Sequence, residues 1–176
     1  MIDLKRYENA SYQRGAPRWK EVAWWVVRSL LFAPFFPVPS SFKVAALRLF
    51  GAKVGNGVVI RSRVNITMPW RLTVGDHVWI GDEVMILALE QVTIGAHVCL
   101  SQRAFLCTGS HDFNKEGFDL ITAPITIEDH SWVCAQAFVG PGIIMEKGSR
   151  CLAGAVVVKD VPKQTTVCGI PARSQS

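Results

Sequence analysis

His111 is the side chain of this 176-residue sequence whose type and setting best suit chemistry. It lies in the segment Thr108-Gly109-Ser110-His111-Asp112-Phe113, between a hydroxyl group and a carboxylate. Imidazole titrates close to neutral pH, so it can accept a proton from an alcohol and later release it. The segment interrupts an otherwise regular repeat. This favours a catalytic base, and a solvated loop histidine is the alternative.

The other three histidines share one position in the repeat. His77, His97 and His130 each stand three residues after an inward-facing apolar residue. Such a slot is typical of a solvent-facing corner, where histidine tolerates an unusual backbone angle. Whole turns of the repeat separate the three, without the close spacing of metal ligands, so the sequence favours a structural role over a zinc site.

The elements that must position His111 are short strands, because apolar residues recur every six positions between residues 54 and 158. This period differs from both the helical period and simple strand alternation. It predicts an all-β solenoid, a parallel β-helix in which three short strands and three corners make one coil. The predicted inward positions are Val54, Ile60, Ile66, Val74, Ile80, Ile86, Ile94, Leu100, Leu106, Ile127, Val133, Val139, Met145, Cys151 and Val157.

Three interruptions break this period. Two coils are widened by two residues, around 68–71 and 88–91. The third interruption is an insertion at about 107–124, which contains His111. Loops longer than about 12–15 residues in a compact domain are usually functional or disordered. The regularity of the surrounding scaffold favours a functional loop.

Cysteine content and charge narrow the class of protein further. Five cysteines without a CxxC pair argue against a disulfide framework or a structural zinc site, and predict reduced thiols in a cytoplasmic protein.

Residues 1–71 hold twelve Lys and Arg against three acidic residues, a net charge of +9. The remaining residues have a net charge of −4, which gives the total of +5. The basic part suggests an anionic neighbour, with a solvated face as the alternative. No stacking platform or groove-reading helix points to nucleic acid.

The basic amino-terminal third, residues 1–52, does not follow the six-residue period of the β-helix domain at 53–176. An apolar helix is predicted over 18–33 and stops near Pro34, and a second begins at a Ser40 or Ser41 cap and ends at Gly51. The apolar run 22–38 is too short and too interrupted for a membrane span, and it lies too far along the chain for a signal peptide. Two interpretations remain: a cap on the open end of the solenoid, or an interfacial segment that touches a bilayer.

The chain resembles the hexapeptide-repeat acyltransferases between about Leu49 and Arg173. The most specific segments are Thr108-Gly109-Ser110-His111, Ile125-Thr126-Ile127-Glu128-Asp129-His130-Ser131-Trp132, Val157-Val158-Lys159-Asp160-Val161-Pro162 and Gly169-Ile170-Pro171-Ala172-Arg173. The resemblance implies a left-handed parallel β-helix. Within the superfamily the chain is similar to the maltose and galactoside O-acetyltransferases, and above all to the exopolysaccharide group typified by colanic-acid acetyltransferases.

The resemblance also implies residue roles. His111 matches the general base that deprotonates a sugar hydroxyl, which then attacks the thioester of acetyl-CoA, with backbone N–H groups stabilising the oxyanion. The implied coenzyme contacts are Trp132 near the reacting end, Ala135, Ala153 and Gly154 along the pantetheine arm, and Lys159 and Arg173 at the phosphates. Asp82 and Glu83 are predicted near the acceptor, and no metal is implied.

The family acts as a homotrimer with each site between two subunits. The basic third would hold the enzyme peripherally at the inner membrane face, near a lipid-linked glycan.

Four other functions compete with this hypothesis. One is acyl transfer through a covalent intermediate on Cys107, for which the sequence positions no base. Another is the zinc carbonic anhydrase type, which needs three clustered histidines. A third is a non-catalytic scaffold, attached to a membrane or not. The fourth is an acyltransferase that acts on a small acceptor other than a sugar.

Overall fold

The computed structural model describes residues 2–7 and 12–174, and its centre is a three-sided parallel solenoid. The first sheet contains β1 (Lys53–Val54), β4 (Leu72–Val74), β7 (Val92–Ile94), β12 (Ile125–Ile127) and β15 (Ile144–Met145). The second contains β2 (Val59–Ile60), β5 (Trp79–Ile80), β8 (Cys99–Leu100), β13 (Trp132–Val133), β16 (Arg150–Cys151), β18 (Thr166–Cys168) and β19 (Arg173–Ser174). The third contains β3 (Asn65–Ile66), β6 (Met85–Leu87), β9 (Phe105–Cys107), β14 (Phe138–Val139) and β17 (Val156–Val157).

The predicted inward register is confirmed. Every predicted inward residue except Val54 is buried, and Ile66, Ile80 and Ile86 have no exposed surface. Equivalent residues of successive coils pair directly, as in Ile86 opposite Leu106. Full burial of each such side chain stabilises the fold by about 1.5–3 kcal/mol. Val54 is only half-buried because β1 is an edge strand.

Small corners let the coils approach closely. A Cβ atom added at Gly75 would lie 2.6 Å from the backbone nitrogen of Ala96 on the next coil. Real Cβ atoms essentially never approach a neighbour so closely, and a backbone atom cannot turn aside as the end of a flexible side chain can. Glycine at this corner therefore follows from coil spacing, which explains the repeated Val-Gly or Ile-Gly pairs of the sequence.

The histidine corners have the predicted backbone conformation. His77, His97 and His130 are exposed and adopt φ values of 55°, 57° and 61°. Their imidazole rings form one stack, with centroids 5.2 Å apart between the first two and 4.9 Å apart between the last two. Within the described residues, no group of three or more His, Cys, Asp or Glu side chains could hold a metal ion. The left-handed backbone at these three positions is that of turn residues at the corners of the solenoid.

We expect His97→Val to destabilise the fold by about 1–2 kcal/mol, because a left-handed backbone brings Cβ too close to the following carbonyl oxygen and a β-branched side chain adapts poorly. His97→Asn should change stability by less than about 0.5 kcal/mol, since asparagine tolerates this conformation. Chemical denaturation of the two variants measures the difference. Equal stability of the two would contradict the structural role of the corner.

Two helices precede the solenoid: α1 (Arg18–Leu31) and α2 (Ser40–Leu49), after a short 3-10 helix at Leu4–Arg6. The first helix ends two residues before the predicted end at residue 33. The predicted capping of α2 by Ser40 or Ser41 is wrong, since no side chain caps this helix. The Ser40 hydroxyl instead accepts a hydrogen bond from the backbone N–H of Ile60 at 2.9 Å. Gly51 ends this helical region with φ +99°.

The helices cover the exposed edge of the first coil. The indole N–H of Trp24 donates to the carbonyl of Ile66 at 2.8 Å. The ammonium of Lys43 donates to the carbonyls of Ile60 and Arg61 at 3.2 and 2.6 Å, and burial lowers the pKa of this side chain. Acceptors that edge strands would leave unpaired are thus satisfied by side chains. None of the described helices is long and apolar enough to cross a membrane.

Candidate active site

The insertion that carries His111 is an antiparallel hairpin, where the sequence predicted a loop. Strands β10 (Gly109–His111) and β11 (Leu120–Thr122) pair with His111 opposite Leu120. The backbone N–H of Asp112 extends the pairing by donating to the carbonyl of Asp119 at 2.9 Å. His111 is therefore held by a regular ladder, with only 112–119 forming the tip.

Thr108 anchors the base of this hairpin to the solenoid. Its side chain is completely buried, and the hydroxyl donates to the carbonyl of Leu87 at 2.6 Å. The same oxygen accepts the backbone N–H of Glu90 at 3.0 Å. A Cβ atom at Gly109 would lie 2.7 Å from the Leu89 side chain, so glycine lets the strand leave close to the preceding coil. These contacts fix the direction in which His111 projects.

The imidazole of His111 is fixed by contacts within its own hairpin. Its Nδ1 lies 2.9 Å from the carbonyl oxygen of Phe118. A carbonyl oxygen only accepts hydrogen bonds, so Nδ1 carries the proton in this contact and, in the neutral ring, Nε2 keeps its lone pair. The Phe118 ring stacks on the imidazole with a centroid distance of 4.3 Å and an interplanar angle of 2°. In this neutral tautomer, Nε2 is the ring nitrogen whose lone pair could accept a proton.

The amino-terminal segment 2–7 docks on the tip of the hairpin. The backbone N–H of Asp3 donates to the carbonyl of Glu116 at 2.9 Å, and Arg6 pairs with the Glu116 carboxylate at 2.7 Å. The Tyr7 ring lies 5.7 Å from the imidazole of His111. Sequence analysis missed this neighbour, since residues 7 and 111 share no motif and meet only because the insertion folds as a hairpin.

Two of the implied coenzyme residues line one cleft. Lys159 and Arg173 face the same depression, beside Pro162 and Ala172. Two exposed cations around one cleft suit a phosphate group. Lys159 follows β17 at the corner between the third and first sheets, the same corner from which the His111 hairpin leaves two coils earlier. At about 4.8 Å per coil, this is a separation of about 10 Å along the solenoid axis.

The other implied coenzyme residues lie elsewhere on the prism. Trp132 is half-exposed on β13, where its indole N–H donates to the Ser101 hydroxyl at 2.8 Å. Ala135, Ala153 and Gly154 occupy the corner between the second and third sheets. A Cβ atom at Gly154 would meet nothing within 4 Å, so its φ of +69° explains the glycine and the surface is open. Within one chain, these residues therefore lie on or beside a corner other than the one that carries His111.

The predicted acceptor residues Asp82 and Glu83 also lie at the corner between the second and third sheets. Glu83 pairs with Arg63 at 2.9 Å and with Arg103 at 2.7 Å, and the hydrogen bond from Arg103 lowers the pKa of the Glu83 carboxyl. Asp82 pairs with Arg61 at 3.3 Å. These carboxylates link successive coils, and a single chain does not bring them to the corner that carries the His111 hairpin.

The cysteines are free thiols. Cys107, just before the hairpin, is buried and its Sγ donates to the carbonyl of Gly109 at 3.1 Å. Burial raises the pKa of the Cys151 thiol to about 12, as expected of an inward residue. Such an environment keeps the Cys151 thiol protonated and unreactive.

Comparison with known proteins gives both the fold and the family. A hexapeptide-repeat acetyltransferase of Vibrio cholerae, VCA0836, solved with acetyl coenzyme A, superimposes with a TM-score of 0.83 at 23% identity, over 100% of this chain and 98% of that one. A galactoside acetyltransferase solved with coenzyme A superimposes with a TM-score of 0.78 at 19% identity, over 89% and 80%. No protein-family model matches the chain.

The fold is therefore that of the hexapeptide-repeat acetyltransferases, and the predicted left-handed parallel β-helix is confirmed. An Escherichia coli K12 protein named as a colanic acid biosynthesis acetyltransferase, WcaF, is 40% identical over 172 residues, 98% of this chain and 94% of that protein. The E. coli galactoside O-acetyltransferase is 27% identical over 126 residues, 69% of this chain and 62% of that protein. The chain belongs to the hexapeptide-repeat acyltransferases, in the group of the colanic acid biosynthesis relative.

Proposed function

We propose that this protein transfers an acetyl group from acetyl-CoA to a sugar hydroxyl, with His111 as the general base. The observation that carries the proposal is the hydrogen bond between His111 Nδ1 and the Phe118 carbonyl. It selects the neutral tautomer whose Nε2 can accept the hydroxyl proton. Family membership supports the acyltransferase reaction, and the coenzyme complexes of proteins with this fold support acetyl-CoA as the donor.

The chemistry is a direct transfer. His111 Nε2 takes the proton of the sugar hydroxyl as its oxygen forms a bond to the thioester carbonyl carbon. The carbon–sulfur bond then breaks, and the imidazolium returns the proton to the departing thiolate. The Phe118 carbonyl stabilises the imidazolium through the Nδ1–H hydrogen bond, and backbone N–H groups are proposed to stabilise the oxyanion. No covalent enzyme intermediate is needed.

A homotrimer with sites between subunits would complete this arrangement. The hairpin of His111 leaves one corner of the prism, whereas Trp132, Ala135, Ala153 and Gly154 lie on or beside another. A site that uses both sets needs the corners of two chains to face each other. This separation supports the family's trimeric assembly for the present chain, with Lys159 and Arg173 at the phosphates of the coenzyme.

The proposed acceptor is a sugar of an exopolysaccharide precursor, carried by a lipid at the inner membrane face. The relative named for colanic acid biosynthesis supports this class, and the galactoside O-acetyltransferase supports a sugar hydroxyl. Asp82 and Glu83 are proposed on the acceptor side. Their arginine partners hold both carboxylates at the corner between the second and third sheets. If this corner faces the hairpin of a neighbouring subunit in the trimer, the carboxylates lie on the acceptor side.

We expect acetyl-CoA to be consumed with at least one acceptor in a panel of nucleotide sugars, lipid-linked oligosaccharides and small non-sugar alcohols. Thioester loss measured by thiol release gives the rate. Cys107→Ala should keep the rate within about twofold, because the buried thiol takes no part in direct transfer. A large loss in this variant would favour an acyl-enzyme, whereas absence of both consumption and a thermal shift with acetyl-CoA would favour an inert scaffold.

A further inference from the structure

The outward face of α1 is apolar and lies in solvent. Five side chains on this face are between 45% and 70% exposed: Trp19, Val22, Trp25, Val26 and Leu30. On a helical wheel they fall within one arc, which also contains Ser29 and the exposed Arg18. The opposite face is apolar as well, because Trp24 is buried against Phe32 and Phe50. A surface helix ordinarily turns a single apolar stripe to the core, so apolar side chains on two sides of α1 leave one apolar surface uncovered.

The aromatic surface continues beyond the helix. Phe35 and Phe36 follow in the turn before α2 and are 80% and 66% exposed. We call the five exposed residues of α1 together with Phe35 and Phe36 the aromatic face. Monomeric soluble proteins rarely expose contiguous apolar surface of this kind, and such patches mark sites for a protein partner or a membrane.

Arginines flank the aromatic face. One cleft beside Val22 and Trp25 is lined by Arg14 and Arg28, and a second beside Ser29 is lined by Arg28 and Arg63. The Arg63 guanidinium lies 4.4 Å from the centroid of the Phe35 ring. Arg14 and Arg63 also pair with Glu21 and Glu83. Arg28 instead donates to the neutral side chain of Asn65 at 2.8 Å, and residues 12–71 as a whole contain ten Lys or Arg and one acidic residue.

We propose that the aromatic face docks on a bilayer that contains anionic phospholipids. Trp and Phe side chains would enter the boundary between headgroups and acyl chains, while the flanking arginines meet lipid phosphates. A second copy of the same face would bring two surfaces with an excess of basic residues together, which disfavours self-association as the occupant. The inference identifies a surface and its partner, and it does not depend on acetyl transfer.

Vesicle flotation of the full-length chain tests this inference. We expect the chain to float with vesicles of phosphatidylcholine and phosphatidylglycerol, to bind pure phosphatidylcholine much less, and to lose binding as salt rises. Trp25→Glu and Leu30→Glu should each weaken binding by about tenfold or more, because a charge enters the face. Ile170→Glu is the matched control, since this exposed apolar residue lies at the other end of the solenoid.

Three results would overturn the proposal. The first is wild-type chain that stays at the bottom of the gradient with both vesicle types. The second is a loss in Ile170→Glu equal to that in Trp25→Glu. The third is self-association, seen as a lower molar mass of Trp25→Glu than of wild type in light scattering, without vesicle binding. Each variant's melting curve shows that it is folded, and flotation involves no catalytic step, so failure of docking is distinct from failure of acetyl transfer.

Discussion

His111→Ala is expected to lower kcat by about 100- to 10,000-fold, because the sugar hydroxyl loses the group that accepts its proton. The remaining structure should be unaffected, since His111 lies on a surface hairpin whose base is held by Thr108. Initial rates of acetyl-CoA consumption at saturating acceptor measure the change. His97→Asn is the matched control, because it alters an exposed histidine of the solenoid corners and should keep the wild-type rate.

Measurements of acetyl-CoA binding distinguish loss of the catalytic base from loss of the coenzyme site in His111→Ala. Acetyl-CoA should raise the melting temperature of His111→Ala as much as that of wild type, because the coenzyme would be held mainly by other residues. The fall should therefore appear in kcat rather than in affinity for the donor. Wild-type turnover by His111→Ala would refute the assignment of the base, even if the family assignment stands.

Trp24→Ala is expected to destabilise the fold by about 3–5 kcal/mol. The substitution empties a site between Phe32 and Phe50 and removes the indole N–H that satisfies the Ile66 carbonyl. Trp25→Ala provides a matched control on the same helix, since Trp25 is 61% exposed. We expect it to change stability by about 0.5 kcal/mol or less. Chemical denaturation followed by circular dichroism measures both.

This pair of tryptophans tests whether the helices belong to the folded core. Equal small losses in both variants would mean that α1 contributes little to the stability of the solenoid. A large loss in Trp25→Ala would mean that its exposed ring is covered in solution. The expected contrast also supports the flotation experiment, because it shows that the aromatic face can be altered without unfolding the chain.

The solenoid was predictable because the six-residue spacing of apolar residues follows directly from which side chains pack in the core. Each inward residue, such as Ile80 or Leu100, contacts its equivalents one coil away, so the six-residue spacing alone sets strands, corners and core. The turn histidines followed from the same register. His111 was identified for the opposite reason, because it lies in the insertion that interrupts the six-residue repeat.

The surroundings of His111 were not predictable from spacing. The pairing of β10 with β11 sets the partners of the imidazole, and neither the Phe118 carbonyl nor the Tyr7 ring shows in a motif. Ser40 illustrates a competing interaction, because its hydroxyl satisfies the first coil rather than its own helix. Such choices depend on tertiary contacts, which a local capping rule does not include.

The covered edge of the first coil also bears on how separate molecules could associate. A bare parallel coil is a template, and its open carbonyls would accept the last coil of another molecule and extend the stack indefinitely. Trp24, Lys43 and Arg48 already donate to those carbonyls. Since these donors occupy the carbonyls, the edge of another molecule's sheet finds fewer acceptors there, and a chain without the amino-terminal helices would expose them to such pairing.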